Sequence, residues 1–325
     1  MKTYKHLWEQ FISKENFELA YKNAIKGKSK QRQVRKFKKN AEENLERVRQ
    51  LVIRGKFHTS KYRENTIYEP KERVIYKLPF CPDRIVQHAV MNILKPIFLR
   101  KFINNTYACI EYRGQHKASQ KCNEYVRKNK YCLKCDIRKF YPSISQYTLS
   151  EMMHKFIKDD KFMRIIDDII FSFEGGYNCP IGNYCSQWFG NLYLASLDNF
   201  IKHNLKCKCY VRFCDDFILF SNDKSFLNNC NAEIKWLLST QLRLKYSKCD
   251  LFNTRQGVDF CGYRSFGKYI LLRKATSKRI KKRIKWIYKN EDRIDNEYKR
   301  GSFASTKGWL KWCCSWNFQK SLMIA

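Results

Sequence analysis

The chain lacks any run of eighteen apolar residues, and its start, Met-Lys-Thr-Tyr-Lys-His-Leu-Trp-Glu, lacks the apolar segment of an export signal. We therefore expect a cytoplasmic protein with no membrane partner. Internal repeats and low-complexity linkers are absent as well. In the cytoplasm the fifteen cysteines are expected to be reduced thiols rather than disulfides.

Acidic residues are scarce. Thirty Asp and Glu oppose 65 Lys and Arg, which leaves a formal net charge of +35. So large an excess destabilises a compact chain by self-repulsion, and a polyanionic partner, nucleic acid first, explains it most simply. A membrane-surface protein could also be basic, but the lack of a long apolar run and of an export signal argues against it. With 325 residues, 44% of them apolar, the chain can bury a substantial core.

Two cysteine pairs, Cys132-x-x-Cys135 and Cys207-x-Cys209, resemble halves of zinc sites. Both lie in strand-like segments, where alternation would point Cys132 and Cys135 to opposite faces. No histidine cluster completes either site. We therefore interpret the cysteines as small core residues.

Hydrophobic periodicity predicts alternating helices and strands. Helices are predicted within 1–56, near Arg84–Leu99, within 147–175, from about Asn183 to His203, over 224–240 and from about Thr276; strands are predicted at Val74–Leu78, Tyr131–Asp136, in a hairpin around 210–220, and near 244–252 and 258–272. Residues 22–39 hold nine Lys or Arg and no acid, which fits either a solvated face or phosphate contact.

The hairpin segment carries adjacent carboxylates, Asp215 and Asp216, between two apolar runs. Alone, the pair fits a solvated acidic turn. However, a strand–helices–hairpin–helix–strand order resembles a split βαβ sheet, which would bring Asp136 beside the pair. Three such carboxylates can hold two Mg²⁺ ions, with Mn²⁺ as a substitute, and two ions suit in-line phosphoryl transfer.

Three spaced motifs resemble those of the reverse transcriptases. Cys135–Ile144 is similar to the first catalytic motif, Phe213-Cys214-Asp215-Asp216 to the Tyr-x-Asp-Asp box with Phe for Tyr, and Val258–Tyr263 to the primer grip. The resemblance covers nearly the whole chain and implies an α+β right-hand polymerase. Its implied parts are N-terminal helices and fingers at 1–130, the first palm strand at 131–146, a helical insertion at 147–178, palm at 179–272, and a short basic thumb at 273–325.

The resemblance also implies roles for individual residues. Asp136, Asp215 and Asp216 would be catalytic and hold the metal ions with the backbone carbonyl of Ile137, and Lys248 would protonate the leaving pyrophosphate. The implied dNTP-binding residues are Lys71, Arg73, Arg138, Lys139, Phe140, Tyr141 as the steric gate, Ile181 and Gln187. The implied primer grip is Phe260, Cys261, Gly262 and Tyr263. The implied contacts to the nucleic-acid backbone are Arg273, Lys274, Lys278, Arg279, Lys281, Lys282, Arg283 and Lys285.

Simpler interpretations of some of these residues stay open. Tyr141 is otherwise a core aromatic, Lys71 and Arg73 belong to a surface turn, and Lys248 is a solvated lysine. RNase H, maturase and endonuclease regions are not found after the thumb, so template degradation and target nicking are expected from other proteins.

The segment Pro180–Gln187 has Ile181 where most reverse transcriptases have Gln. With Asp83–His88, Tyr107–Cys109 and the compact length, it resembles the enzymes of diversity-generating retroelements in bacteria and phages. That subgroup implies error-prone copying of a template-repeat RNA opposite adenine. It also implies a cDNA/RNA duplex, dNTPs and a small basic oligomeric accessory protein as partners. The alternatives are a retron-type or phage-defence reverse transcriptase, and an inactive RNA-binding remnant.

Overall fold

The structure is a computed structural model that describes residues 2–68 and 72–322. The helices of the described residues are α1 Trp8–Ile12, α2 Lys14–Ile25, α3 Arg32–Lys38, α4 Ala41–Ile53, α5 Ile85–Leu99, α6 Gln115–Lys128, α7 Phe140–Ser143, α8 Gln146–His154, α9 Asp160–Ile170, α10 Tyr184–Tyr193, α11 Ala195–Asn199, α12 Lys224–Thr240, α13 Lys274–Lys289, α14 Asn296–Leu310 and α15 Trp316–Lys320. The strands are β1 Arg63–Ile67, β2 Arg73–Lys77, β3 Tyr131–Ile137, β4 Cys209–Phe213, β5 Asp216–Ser221, β6 Tyr246–Asn253, β7 Val258–Phe260, β8 Tyr263–Ser265 and β9 Ile270–Leu272. The predicted α+β class is confirmed. Within the described ranges, no helix is both long and apolar enough to cross a membrane.

The first of two compact units comprises residues 1–103, 138–198 and 237–245. Its centre is α5, which is buried on nearly all sides and packs against α2 and α10. A helix that is apolar all round belongs in a core, because water has no face to solvate. The antiparallel hairpin of β1 and β2 belongs to the same unit and is largely exposed.

The second unit comprises residues 104–137, 199–236 and 246–325. Its main sheet has the strand order β4-β5-β3-β6, with neighbouring strands antiparallel. Helix α6 buries its apolar face against β4 and β5, with Cys122 and Val126 packing near Val211 and Ile218. Because β3 lies between β5 and β6, the ends of the first strand and of the hairpin are neighbours. The split-sheet prediction is therefore confirmed.

A separate apolar cluster holds the C-terminal helices together. Ile280, Ile284 and Ile287 form the buried stripe of α13 and pack with Leu322. The predicted helix from about Thr276 is confirmed and begins at Lys274.

Several predicted elements are subdivided. The helical segment 147–175 forms α8 and α9, because Asp159 caps a new helix by accepting a hydrogen bond from the Phe162 amide. The helix expected from Asn183 to His203 forms α10, α11 and a π-helical turn at Phe200–Asn204. The strand segment 258–272 forms the three-stranded sheet β7-β8-β9.

Candidate active site

The hairpin of β4 and β5 turns through two residues, Cys214 and Asp215, because Phe213 pairs with Asp216 across the two strands. Asp216 therefore begins β5, whereas the sequence had suggested that both carboxylates occupy the turn. Cys214 has φ 55°, a left-handed conformation that such turns usually assign to glycine. The fully buried Arg212 supports the turn, since its Nη1 donates a hydrogen bond of 2.9 Å to the Cys214 carbonyl.

The three predicted carboxylates lie at one end of the sheet. Asp136 on β3 is the cross-strand partner of Asp216 on β5. The Ile137 amide donates to the Asp215 carbonyl at 3.3 Å, which ties the end of β3 to the turn. The Ser247 hydroxyl donates a hydrogen bond to Asp136 Oδ2. The residues predicted to act together are thus close neighbours on adjoining strands.

Asp216 is electrostatically unusual. Burial, together with the negative charges of Asp136 and Asp215, raises the pKa of its carboxyl to about 7, although the positive charges of Lys134 and Arg273 act against this rise. Lys134 Nζ lies 3.8 Å from Asp216 Oδ2. The other oxygen, Oδ1, is inaccessible to solvent and has no hydrogen-bond partner among the described residues.

The donor chemistry here fits a hard divalent cation, because carboxylate oxygens are the ligands Mg²⁺ prefers and Asp216 Oδ1 is unsatisfied without one. As the side chains stand, however, no three His, Cys, Asp or Glu side chains within residues 2–68 and 72–322 form a metal-binding cluster. The match to a divalent cation therefore rests on the carboxylate oxygens present and on the unsatisfied Oδ1 of Asp216.

Three supporting residues were missed by sequence reasoning. Lys134 lies beside Asp216 and donates a hydrogen bond of 2.6 Å to the Asp259 carbonyl. Ser247 donates to Asp136, and Arg212 supports the hairpin turn. Lys134 had a usable signal, since it lies two residues before Asp136 and so on the same face of β3. A charged residue inside an otherwise apolar strand was the signal for Arg212.

Within the first unit, the predicted gate Tyr141 lies on α7. Its carbonyl accepts a hydrogen bond of 2.9 Å from the Cys179 amide. The neighbouring Phe140 is buried and its ring packs against the Tyr141 ring, so Phe140 supports Tyr141 from the core. Gly190 on α10 makes the fit possible: a Cβ there would lie 3.2 Å from Tyr141 Cε1 and 3.1 Å from Phe140 Cε1.

The other predicted nucleotide residues are distributed as follows. The Arg138 amide donates 2.8 Å to the Lys245 carbonyl, and Lys139 precedes α7 with φ 44°. Arg73 is exposed at the start of β2, and Gln187 is exposed on α10. Ile181 accepts a hydrogen bond of 2.7 Å from the Tyr76 amide through its carbonyl. Lys71 lies outside the described residues.

The predicted primer grip is a tight turn at Cys261 and Gly262, with φ 49° and 83°. The rings of Phe260 and Tyr263 are fully buried, so they hold the turn and do not line its surface. An added Cβ at Gly262 would lie 2.8 Å from the Trp309 ring, which explains the glycine. Only the Cys261–Gly262 turn can face a primer.

Lys248 is the cross-strand partner of Asp136, and 77% of its side chain is exposed, with Nζ 4.0 Å from Asp250 Oδ2. Arg273 lies 3.7 Å from Asp259 and is half-buried. The remaining predicted backbone contacts are exposed along α13: Lys274, Lys278, Arg279, Lys281, Lys282, Arg283 and Lys285.

Comparison with known proteins places these features in a family. Over 276 residues the chain is 21% identical to the Protein YkfC of Escherichia coli (strain K12), covering 69% of this chain and 71% of that protein. The structure resembles apo telomerase from Candida tropicalis, and telomerase from Candida albicans in complex with a fragment of telomeric RNA. Both comparisons have a TM-score of 0.50 and 13% identity, covering 68% and 71% of this chain.

The chain spans only 49% and 51% of those two telomerase chains. The likeness extends to the fold, which is that of the right-hand polymerases. The model of the family described as reverse transcriptase (RNA-dependent DNA polymerase) matches residues 64–265, more than half of the chain and all three carboxylates. The chain therefore belongs to the reverse transcriptase family, the RNA-dependent DNA polymerases.

Proposed function

We propose that this chain is the error-prone reverse transcriptase of a diversity-generating retroelement. It copies a template-repeat RNA into cDNA with substitutions at adenines, and that cDNA diversifies a target gene by mutagenic retrohoming. The observation that carries the subgroup is Ile181, an alkyl side chain at the turn where most of the family has an amide. Family membership and the paired strands of Asp136 and Asp216 support the chemistry.

Asp136, Asp215, Asp216 and the Ile137 carbonyl would hold two Mg²⁺ ions, for which Mn²⁺ substitutes. When bound, such ions neutralise charge as a primer 3′-hydroxyl displaces pyrophosphate from a dNTP. The protein's own part is positioning. Ser247 orients Asp136, Lys134 offsets the charge of Asp216, and the exposed Lys248 amine supplies a proton to pyrophosphate.

Selection of the nucleotide falls to the first unit. Tyr141 acts as the steric gate, because a ring packed under the sugar leaves no space for a 2′-hydroxyl. Arg138, Lys139 and Phe140 shape the same pocket, Lys71 and Arg73 bind the triphosphate, and Gln187 lies on the exposed side of α10. In this proposal residues 1–130 and 147–178 are fingers, 131–146 and 179–272 are palm, and 273–325 are thumb.

Nucleic acid is bound by the second unit. The Cys261–Gly262 turn holds the primer end, and the exposed cations of α13 follow the backbone of the template RNA and cDNA duplex. A small basic oligomeric accessory protein helps to hold the RNA, and the enzyme works in the cytoplasm of a bacterial host. A neighbouring short basic reading frame, and near-identical repeats that differ at adenines, would support this context.

The low fidelity has a physical cause in this proposal. An amide at position 181 can check the nascent base pair by hydrogen bonding, and a branched alkyl chain cannot, so shape remains the main filter. Primer extension on an RNA template, with the products sequenced, tests the proposal. The wild type should misincorporate mainly opposite adenine, Ile181→Gln should do so less, and Ile181→Leu, which stays alkyl, should match the wild type.

The same experiment separates the alternatives. A single short cDNA of fixed length would indicate a retron-type enzyme, and untemplated DNA would indicate a defence enzyme. Equal error spectra for Ile181→Gln and the wild type would refute the fidelity argument.

A further inference from the structure

The turn that carries Ile181 is held very tightly. Gly182 has φ 124°, and a Cβ there would lie 2.3 Å from the Tyr76 carbonyl oxygen, so only glycine fits. The Ser186 hydroxyl donates 2.7 Å to the Pro180 carbonyl, and Asn183 Nδ2 donates 2.8 Å to the Tyr62 hydroxyl. The position of Ile181 is thus set by the contacts of the residues on either side of it.

The first residues of α5 and the residue before it contact this same turn. Arg84 Nη2 donates 3.1 Å to the Gly182 carbonyl, and Gln87 Oε1 accepts 3.0 Å from the Tyr184 amide. His88 stacks on Tyr184 with ring centroids 3.9 Å apart and planes 15° apart. Because burial lowers the pKa of His88 to about 3, this ring is neutral and packs as a flat aromatic surface.

Gln87 is a polar residue whose burial lowers the stability of the fold. It is only 1% exposed, and its Nε2 has no hydrogen-bond partner among the described residues. An unsatisfied buried amide lowers stability, and an apolar side chain of the same size would avoid that cost. The contact of its Oε1 with the Tyr184 amide is therefore the reason for an amide at this position.

We infer that Arg84, Gln87 and His88 are positioning residues for base-pair selection, acting through the Ile181 turn. The inference rests on the proposed function of that turn and extends it to α5. The segments Asp83–His88 and Pro180–Gln187, which stand about a hundred residues apart in the sequence, then act together to position Ile181. If these contacts are weakened, the turn can move, and the pocket no longer rejects mismatched base pairs by their shape. Error rates opposite cytosine, guanine and uracil should then rise toward the error rate opposite adenine.

The test is sequenced primer extension on RNA by Gln87→Met and His88→Ala, with thermal stability measured alongside. Gln87→Met leaves no cavity, and the loss of the Tyr184 hydrogen bond is offset by removal of the unsatisfied Nε2, so we expect a nearly unchanged melting temperature. Errors should rise about fivefold opposite the other three bases. His88→Phe keeps the stacked ring and should retain the wild-type spectrum. Leu94→Ala, a buried truncation on the same helix, controls for loss of stability alone.

Wild-type error spectra for both Gln87→Met and His88→Ala, or a change in Leu94→Ala of the same size, would overturn the inference. A wild type without adenine bias would refute the proposed subgroup. The ratio of the error rates of variant and wild type would still test the positioning role. Hydrogen exchange gives a readout without activity: the Tyr76 and Tyr184 amides should exchange faster in Gln87→Met. Unchanged exchange contradicts the inference.

Discussion

Asp216 is held where its own negative charge is disfavoured. Its carboxyl is partly shielded from water and faces two other carboxylates, and the positive charges of Arg273 and of the Lys134 amine at 3.8 Å offset this only in part. A protein tolerates such a group when something else binds there, because a bound cation removes the repulsion. The surroundings of Asp216 therefore link the stability of the fold to the charge on this carboxyl.

The first prediction concerns Asp216→Asn in the presence of a chelator. Because the pKa of Asp216 is raised from 3.8 to about 7, stability present below pH 4 is lost as the pH rises through about 7. The amide cannot ionise, so the variant should be more stable than the wild type at pH 8, by about 1–3 kcal/mol. Thermal unfolding from pH 4 to 8.5 measures this; a difference independent of pH would contradict it.

The second prediction concerns Gly190, which packs against Tyr141, the proposed steric gate. A methyl group at 3.1–3.2 Å from the rings of Phe140 and Tyr141 must displace one of them by a few tenths of an ångström. Gly190→Ala should therefore lower the preference for dNTPs over ribonucleotides, by about threefold to tenfold. Single-nucleotide incorporation kinetics with both sugars measure the effect.

Gly308→Ala is the matched control for that experiment. It lies in helix α14 with nothing within 4 Å of the added Cβ, so it should keep sugar selection and gain helix propensity. If Gly190→Ala and Gly308→Ala select sugars equally well, the seating role is wrong.

At the scale of elements, β8 and α14 are joined by one hydroxyl group. Tyr263 Oη donates 3.0 Å to the Trp309 carbonyl, so His116 Nδ1, at 2.7 Å, must donate to it. The His116 ring also stacks on Trp312, with planes 3° apart. The turn at Cys261–Gly262 is thereby fixed to the C-terminal helices through a buried ring that sequence reasoning had assigned to direct primer contact.

The third prediction concerns Tyr263→Phe, which removes that hydroxyl and leaves the ring. We expect a loss of about 1 kcal/mol in unfolding free energy, because two hydrogen bonds are broken and the His116 Nδ1 donor loses this acceptor, whereas the Trp309 carbonyl still accepts from the Trp312 amide. Shorter products per binding event are expected in primer extension with a competitor trap. Tyr269→Phe, an exposed tyrosine beside β9, should change neither quantity. Unaltered product lengths in Tyr263→Phe would exclude the joining role.

Strand and helix patterns predicted much of the fold because they depend on local periodicity. The β3 strand, the hairpin and α13 follow directly from alternation or helical spacing, and the meeting of Asp136 with Asp216 follows from strand order. Local periodicity does not predict contacts between side chains that are far apart in the sequence. Ser247 on Asp136, Gln87 on Tyr184 and Gly190 under Tyr141 depend on side-chain packing that no periodicity encodes.

At the scale of the whole molecule, an excess of 35 positive charges dominates. Not all cations contribute equally, because some are neutralised within the fold. Lys121 and Lys128 both pair with Glu124, at 2.8 and 2.9 Å, whereas the exposed lysines of α13 lie on a helix that contains no acid. Phosphate binding should therefore depend far more on the lysines of α13 than on Lys121 and Lys128.

The fourth prediction compares two double variants in RNA binding at several salt concentrations. Lys281→Gln with Lys285→Gln should reduce the slope of log affinity against log salt by about 1–2, because each phosphate contact contributes roughly 0.7–0.9. Lys121→Gln with Lys128→Gln should leave the slope nearly unchanged. Equal slopes in the two double variants would mean that α13 does not follow the backbone.

The most direct test of the central claim is primer extension on an RNA template with Mg²⁺. It compares the wild type with Asp136→Asn, Asp216→Asn and the control Asp292→Asn, whose side chain is exposed in the turn Glu291–Arg293. The account predicts extension by the wild type and the control, and at least a thousandfold loss, about 4 kcal/mol, in the first two variants with RNA binding retained. Extension by Asp136→Asn or Asp216→Asn at the wild-type rate would contradict it.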